Sequence, residues 1–159
     1  MSLPLDGVVV VDLTSNVAGP YASAVLADLG ARVTHVESPE GDDARRMSPR
    51  TGTGSAYFRV ANRNKDCLRL DIRVEEDRSR LLHMLETADV LVTNLRPAKL
   101  AAYGLDGPSL RARFPRLIHA ALTGYGQLGA EADRVGYDGV LQARTGIMGI
   151  TGESGGDAV

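Results

Sequence analysis

A valine-rich run near the N-terminus is followed closely by a helical pattern and by a second strand. Val8-Val9-Val10-Val11-Asp12-Leu13 is β-branched, has the length of a strand and lacks the polar alternation of a strand with one solvated face. After a short loop, Pro20 can start a helix and Gly30 can end it. Residues 32–37 then supply a second strand. A strand, a crossover helix and a strand in this order predict an α/β fold, a Rossmann-like parallel sheet with flanking helices.

The rest of the chain continues with strand and helix signals. Residues 56–60 and 67–71 resemble short strands on either side of the polar turn Asn62-Arg63-Asn64-Lys65, which predicts a hairpin. The polar segment 38–55 predicts a long surface loop, and long loops are often functional. Further elements are predicted as a helix at 74–87, strands at 89–93 and 117–122, and a helix within 136–146.

Composition and charge exclude several classes of protein. Eighteen basic and twenty acidic residues leave a formal net charge of -2, so the chain has no overall attraction to nucleic acid. The single Cys67 cannot form an intrachain disulfide, and residues 1–5 lack the parts of a secretory signal, which predicts a cytoplasmic location. No apolar run is long enough to cross a bilayer, so no membrane partner is predicted. At 159 residues, one compact domain is expected.

Four loops or turns are candidates for a binding site, because parallel sheets collect ligands beyond the carboxyl ends of their strands. They hold small residues and the cations Arg63, Lys65 and Arg96, a combination that suits an anionic, nucleotide-like ligand. Taken singly, such residues are more often turn formers or solvated charges. Dinucleotide and phosphate-loop fingerprints are absent, and no residue spacing indicates a metal site. The candidate loops are residues 15–19, 62–65, 94–97 and 123–127.

An ordered series of short motifs along almost the whole chain resembles the class III CoA-transferases, also called the CaiB/BaiF family. Each motif is weak alone, and the order makes the resemblance specific. The motifs are Leu5-Asp6-Gly7, Val11-Asp12-Leu13-Thr14, Ala18-Gly19-Pro20-Tyr21, Leu26-Ala27-Asp28-Leu29-Gly30-Ala31, Val36-Glu37, Gly41-Asp42-Asp43, Ser55-Ala56-Tyr57-Phe58, Asn62-Arg63-Asn64-Lys65, Leu70-Asp71, Ala88-Asp89-Val90-Leu91-Val92-Thr93-Asn94-Leu95-Arg96-Pro97, Gly124-Tyr125-Gly126-Gln127 and Gly136-Tyr137-Asp138.

The resemblance implies an enzyme that transfers CoA from an acyl-CoA to a carboxylic acid through an aspartyl intermediate, with coenzyme A or acyl-CoA bound over a Rossmann-like large domain and no metal. Val17 and Ala18 would line the thioester end. The other coenzyme A contacts implied are Asn62, Arg63, Asn64, Lys65, Asn94, Leu95, Arg96, Thr123, Gly124, Tyr125 and Gly126.

The resemblance has departures that leave alternatives open. Ser38 and Ala102 stand where some members carry arginine, which leaves Arg45, Arg46, Arg96 or Lys99 as possible phosphate contacts. Tyr137 stands where the racemase branch has a proton-transferring histidine, so a transferase is favoured over an acyl-CoA racemase.

The same resemblance places the nucleophilic aspartate beyond residue 159, so no catalytic residue is assigned within the chain. Residues 1–159 are then the N-terminal part of the CoA-binding large domain, without the small domain and the C-terminal return, and this chain alone is expected to be inactive. The family implies a homodimer; the other possibility is a non-catalytic CoA-binding fragment that needs a second chain. Neither the acyl donor nor the acceptor acid is indicated.

Overall fold

The structure is a computed structural model that describes residues 2–52 and 54–157. Five parallel strands form the main sheet in the order β5-β2-β1-β6-β7, and a separate two-stranded pair is formed by β3 and β4. The strands are β1 (Val9–Leu13), β2 (Arg32–Glu37), β3 (Arg50–Thr51), β4 (Gly54–Ser55), β5 (Lys65–Arg69), β6 (Val90–Thr93) and β7 (Ile118–Ala121). The helices are α1 (Ala18–Asp28), α2 (Ala56–Ala61), α3 (Glu75–Leu85), α4 (Pro97–Ala102), α5 (Gly107–Arg113) and α6 (Asp138–Thr145).

The valine run forms the centre of the sheet. β1 pairs in parallel with β2 on one side and with β6 on the other. Val10 and Val11 are both buried although they point to opposite faces. A strand covered on both faces needs no polar alternation, which is why this sequence lacks one.

Helices cover both faces of the sheet. On one face, Ala27 of α1 packs with Val10 of β1 and Val92 of β6. On the other face, a larger core is built from leucines of α3, α4 and α5 against β1, β2 and β6. Each leucine that is fully removed from water contributes on the order of 2 kcal/mol before entropy is counted. The predicted α/β fold with a parallel sheet and flanking helices is confirmed.

The predicted hairpin around Asn62-Arg63-Asn64-Lys65 is wrong. Residues 56–61 form α2, not a strand, and the Ser55 hydroxyl caps this helix by accepting a hydrogen bond from the Phe58 N–H at 3.3 Å. β5 pairs with β2 in parallel, with Lys65 opposite Val33, so the chain enters β5 from the amino edge of the sheet. A mostly apolar segment of five residues fits a short helix as well as a strand, and the serine cap decides between them.

The segment predicted as a long loop has short structure of its own. A 3-10 helix spans Asp43–Arg46 and is capped by Asp42, and β3 pairs with β4 as a small antiparallel ribbon. None of the helices within residues 2–52 and 54–157 has the length and apolarity needed to span a membrane.

Candidate functional site

A polar cleft of about 500 Å³ lies at the carboxyl edge of the parallel sheet. In the strand order β5-β2-β1-β6-β7, the winding direction reverses between β1 and β6, and open α/β sheets bind ligands beside such a reversal. The volume falls within the range of small-molecule sites. The cleft is lined by residues that follow β1, β2, β5 and β6, namely 13–15, 36–41, 70–73 and 94–95, together with Asp43, Arg46, Lys99 and Tyr103.

Three cations border this cleft and differ in how strongly they are already engaged. Arg73 forms a two-pronged pair with Asp71, with nitrogen–oxygen distances of 2.7 and 2.8 Å, and lies 3.8 Å from Glu40. Arg46 is paired with Asp43. Lys99, in α4, is exposed and has no ion pair within the described part of the chain. Lys99 is therefore the cation with the greatest freedom to meet an anion entering the cleft.

The loop between β1 and α1 forms one wall and is held from two sides. Ser15 donates its N–H to Asn94 Oδ1 at 3.1 Å, and Asn94 Nδ2 donates to the Ser15 carbonyl at 2.8 Å. The Asn16 N–H donates to Asp42 Oδ1 at 3.2 Å. Asn16 has a left-handed backbone with φ of 66°, which only asparagine, aspartate and glycine adopt readily. The shape of this wall thus depends on contacts with the loops after β6 and β2.

A cluster of buried charges lies behind the wall, on the α1 face of the sheet. Asp12 Oδ2 accepts hydrogen bonds from Ser23 Oγ at 2.6 Å, His35 Nδ1 at 3.0 Å and Lys65 Nζ at 2.9 Å. Its Oδ1 accepts from the N–H and hydroxyl of Thr14 at 3.0 and 2.5 Å. The side chains of Asp12, His35 and Lys65 are fully buried. A buried carboxylate is tolerated because cations and hydroxyls replace the lost water.

The charges in this cluster shift one another's ionisation. Burial alone would raise the pKa of Asp12, but the hydrogen bond and charge of His35 and the charge of Lys65 hold that pKa well below its usual range. Burial alone would lower the pKa of His35, but the hydrogen bond to Asp12 and the facing carboxylate of Asp42 raise it to about 9. Burial lowers the pKa of Lys65 in spite of Asp12.

A second ion pair, between buried Glu37 and half-buried Arg45, fixes the segment after β2. Arg45 donates from Nε and Nη2 to the two oxygens of Glu37 at 2.6 and 2.5 Å, and its guanidinium stacks 3.7 Å from the centre of the Phe58 ring. Burial opposes ionisation of Glu37, but these bonds lower its pKa to about 2. Arg45 was one of the alternative phosphate contacts, and its guanidinium is already bound to Glu37 and stacked on Phe58.

The structure brings some of the predicted site residues to the cleft. Asn94 and Leu95 line it. Val17 is the residue before α1 and Ala18 is its first residue, so both follow the loop that forms the wall. Arg96 lies on the same edge but donates to the Asp133 carbonyl at 3.0 Å, away from the cleft lining.

The predicted residues at the end of β7 lie at the same edge of the sheet but outside the cleft lining. Thr123 donates its hydroxyl to the Gly126 carbonyl at 2.8 Å, which closes the turn. Gly124 packs against the backbone of Gly136, and the Tyr125 ring lies 5.2 Å from the Arg144 guanidinium. Thr123, Gly124, Tyr125 and Gly126 remain predicted contacts.

The structure does not bring Asn62, Arg63, Asn64 and Lys65 to the cleft. Asn62, Arg63 and Asn64 precede β5 and Lys65 is its first residue, at the amino edge of the sheet. There, Arg63 and Asn64 bind Asp28 at the end of α1. The Lys65 ammonium reaches inward to Asp12, the Pro20 carbonyl and Asn62 Oδ1, at 2.7 to 2.9 Å. The four residues stay predictions as coenzyme A contacts, although the geometry gives them roles inside the protein.

Sequence reasoning missed the cleft residues after β5. Leu70, Asp71, Ile72 and Arg73 leave that strand at the carboxyl edge. Once the 67–71 segment is placed as a parallel strand, the rule that ligands bind beyond carboxyl ends points to them. The incorrect hairpin prediction made the turn before β5, residues 62–65, the candidate site, and the residues that follow β5 were therefore not considered. Among the described residues, no group of three or more His, Cys, Asp and Glu side chains is arranged to hold a metal ion.

Comparison with known proteins gives consistent matches over nearly the whole chain. The sequence model of CoA-transferase family III matches residues 5–159. The chain is 41% identical over 161 residues to succinate–glutarate CoA-transferase of Agrobacterium fabrum, covering 96% of this chain and 40% of that protein. It is 42% identical over 150 residues to acetyl-CoA:oxalate CoA-transferase of Acetobacter aceti, covering 94% and 39% respectively.

A solved structure agrees with these sequence matches. A CAIB/BAIF family protein from Brucella suis superposes with a TM-score of 0.92 at 41% identity, over all of this chain and 43% of that one. The chain thus spans about two fifths of the length of the relatives it matches.

Proposed function

The chain belongs to CoA-transferase family III, and from that premise we propose that the cleft at the carboxyl edge binds coenzyme A or an acyl-CoA. The observation that carries the proposal is the position of the cleft, at the reversal point of the sheet and bordered by Arg46, Arg73 and Lys99. In the wider proposal, residues 1–159 are the N-terminal part of a CoA-binding large domain.

The cleft offers the chemical groups that a nucleotide with a phosphorylated tail requires. Lys99 can meet a phosphate without losing an ion pair, and Arg73 and Arg46 can exchange a carboxylate partner for a phosphate. The carboxylates of Glu40 and Asp71 can accept hydrogen bonds from ribose hydroxyls. Leu95 and Tyr103 supply apolar surface for a base.

We further propose that the complete enzyme transfers CoA through an aspartate outside residues 1–159. The aspartate carboxylate attacks the acyl-CoA carbonyl, which forms a mixed anhydride and releases the CoA thiolate. The thiolate then attacks the aspartyl carbonyl, forming an aspartyl-CoA thioester and freeing the original acid. The acceptor carboxylate attacks the aspartyl-CoA thioester, which forms a second mixed anhydride and releases the CoA thiolate. The thiolate then attacks the acceptor carbonyl, which forms the new acyl-CoA and frees the aspartate. The relatives are named for transfers to dicarboxylic acids, and an acid of this class is the proposed acceptor.

Isothermal titration of the chain with acetyl-CoA tests the binding proposal. We expect saturable binding that weakens about threefold to tenfold in Lys99→Ala, since one charge-assisted contact to a phosphate contributes roughly 1 kcal/mol at an exposed site. Binding should also weaken as salt is added, because exposed charges are screened.

Arg111→Ala is the matched control. Arg111 is an exposed cation in the last turn of α5 and lies outside the cleft lining, so its removal changes the net charge equally without touching the site. Equal affinity loss in the Lys99 and Arg111 variants would refute the cleft as the site. No detectable heat at millimolar acetyl-CoA would refute binding by this chain.

A further inference from the structure

In the buried charge cluster, His35 and Asp42 lie close together without forming a hydrogen bond. His35 Nε2 and Asp42 Oδ2 face each other at 3.5 Å, and each is a buried atom without a hydrogen-bond partner among the described residues. The opposite ring nitrogen, Nδ1, contacts Asp12 Oδ2 at 3.0 Å. The imidazole therefore lies between two carboxylates, one on β1 and one just after β2.

We propose that His35 is a positioning residue for the acyl-CoA cleft: as an imidazolium it bridges Asp12 and Asp42, and Asp42 in turn holds the β1–α1 loop that forms the cleft wall. The consequence for ligand binding rests on the proposed function of the cleft. The bridge itself is a property of the ligand-free protein.

Charge balance supports the imidazolium form. Asp12, Asp42 and Lys65 surround the ring, and with a neutral histidine this buried group would carry one uncompensated negative charge. A proton on His35 balances two carboxylates with two cations, which is the arrangement that a low-dielectric interior tolerates. The neighbouring Glu37 is neutralised by Arg45 and adds no net charge.

The bridge leads directly to the cleft wall. Asp42 Oδ2 faces His35, whereas Asp42 Oδ1 accepts from the Asn16 N–H at 3.2 Å and from the Ala44 N–H at 2.8 Å. Asn16 is adjacent to Ser15, which lines the cleft, and Asn16 holds a left-handed backbone that needs support from its surroundings. Losing the proton from His35 would leave Asp42 buried without its cation and would loosen this support.

The charged groups that act on His35 include Asp12, Asp42, Lys65 and Glu37, the last of which is paired with Arg45. Asp12 from β1 and Asp42 from the loop after β2 raise the His35 pKa, whereas burial and the Lys65 charge from β5 oppose them. The Ser23 hydroxyl from α1 and the Phe58 ring from α2 complete the surroundings without titrating. The pKa of about 9 means that the bridge is intact at neutral pH and opens as the solution becomes alkaline.

A pH titration of the ligand-free chain by NMR tests the bridge directly. The ring nitrogens of His35 should report an imidazolium through pH 8 with a midpoint near pH 9, and the amide of Asn16 should shift with the same midpoint. A His35 ring that is neutral at pH 7, or an Asn16 amide that does not follow it, would overturn the proposal. This measurement needs no variant and no ligand.

A pair of variants separates positioning from general packing. In His35→Asn, the amide nitrogen occupies roughly the place of Nδ1 and loses the reach to Asp42, whereas in His35→Gln the amide nitrogen takes roughly the place of Nε2. We expect amide hydrogen exchange at Asn16 to accelerate about tenfold in His35→Asn and about twofold in His35→Gln, since only the glutamine restores a donor to Asp42. Equal acceleration in both variants would contradict the bridge. If neither variant folds, the titration of the unaltered chain decides.

Acetyl-CoA, whose thiol is capped, reports the consequence for binding. Its affinity for the unaltered chain should fall by about tenfold between pH 8 and pH 10, and this decline should be absent in His35→Gln, which has no imidazole to titrate. The same decline in both proteins would refute a role of His35 in binding. Absence of acetyl-CoA binding at every pH would refute the proposed function instead, and the ligand-free titration would still decide whether the bridge exists.

Discussion

At the scale of single residues, Lys65 and Arg63 show how burial separates two cations of the same short segment. The Lys65 side chain is fully buried and donates to three oxygens, one of them the carboxylate of Asp12. Arg63 is about one third exposed and pairs with Asp28 at the surface. A buried ion that loses its partner costs far more free energy than an exposed ion does.

This contrast predicts very different effects of removing the two charges. Lys65→Met should lower the free energy of unfolding by about 3 kcal/mol or more, because Asp12 stays buried with one cation fewer. Arg63→Met should lower it far less, because an ion pair at the surface contributes little to stability. Urea unfolding followed by circular dichroism measures both values, and similar losses in the two variants would contradict the placement of Lys65.

The sequence marks Asn62-Arg63-Asn64-Lys65 as a polar, cationic segment, but it does not show which of its side chains are buried and which are exposed. Whether a lysine faces solvent or the interior depends on the strand that follows it, and β5 turns out to run parallel to β2. The position of Asn94 in the cleft lining was predictable, because its strand was predicted correctly and the loops after parallel strands meet at one edge.

At the scale of elements, α6 is attached to the sheet through a close approach of two glycines. A side chain at Gly124, in the turn after β7, would meet the Cα atom of Gly136 at 2.7 Å. The turn before α6 can therefore lie against the turn after β7 only while both residues lack a Cβ atom. Leu141 of α6 packs beside this contact.

Gly124→Ala should consequently detach α6 without unfolding the sheet. We expect faster amide hydrogen exchange in residues 138–145 and unchanged protection of β1. Gly139→Ala is the control within α6, since a Cβ atom there meets nothing within 4 Å and alanine favours helix by up to about 1 kcal/mol. Slower exchange of α6 in Gly124→Ala would contradict the contact.

The elements themselves were largely predictable, and the exception has a physical cause. The strand signal was clearest at β1 and β6, whose runs of valine and leucine suit a sheet covered on both faces. Residues 56–60 are also mostly apolar, but Ser55 supplies a helix cap and the first turn of a helix forms. Periodicity over five residues does not distinguish these cases, so the hairpin prediction failed there and the exit of β5 was overlooked.

At the scale of the whole molecule, the sheet topology decides which loops share a site. Loops after β1, β2, β5 and β6 meet at one edge because all these strands are parallel. Predicting which loops lie at this edge required the direction of every strand. Because residues 56–60 were misassigned as a strand, the Asn62–Lys65 segment was grouped with the carboxyl-edge loops, whereas it lies at the amino edge of the sheet. The cleft was therefore predicted in part, from the loops after β1 and β6.

The buried charges of Asp12, His35 and Glu37 also give the whole molecule a defined pH dependence of stability. The pKa of His35 is raised from 6.5 to about 9, so its contribution is complete below about pH 6.5 and is lost as pH rises through 9. The pKa of Glu37 is lowered from 4.5 to about 2, so its contribution is present above about pH 4.5 and is lost as pH falls toward 2; Asp12 acts in the same direction. Burial lowers the pKa of His119, which removes stability below about pH 6.5.

We therefore expect the free energy of unfolding to be greatest near pH 6.5 and to decline on both sides, by a few kcal/mol toward pH 9.5. Urea unfolding at intervals between pH 3 and pH 10 measures the curve. His35→Gln should make the alkaline limb shallower without changing the acid limb, because it removes a group whose ionisation differs between the folded and unfolded chains. Glu37→Gln should make only the acid limb shallower, and Asp12 and His119 should preserve part of that limb. A constant free energy of unfolding between pH 6.5 and pH 9 would show that His35 is not held as an imidazolium between Asp12 and Asp42.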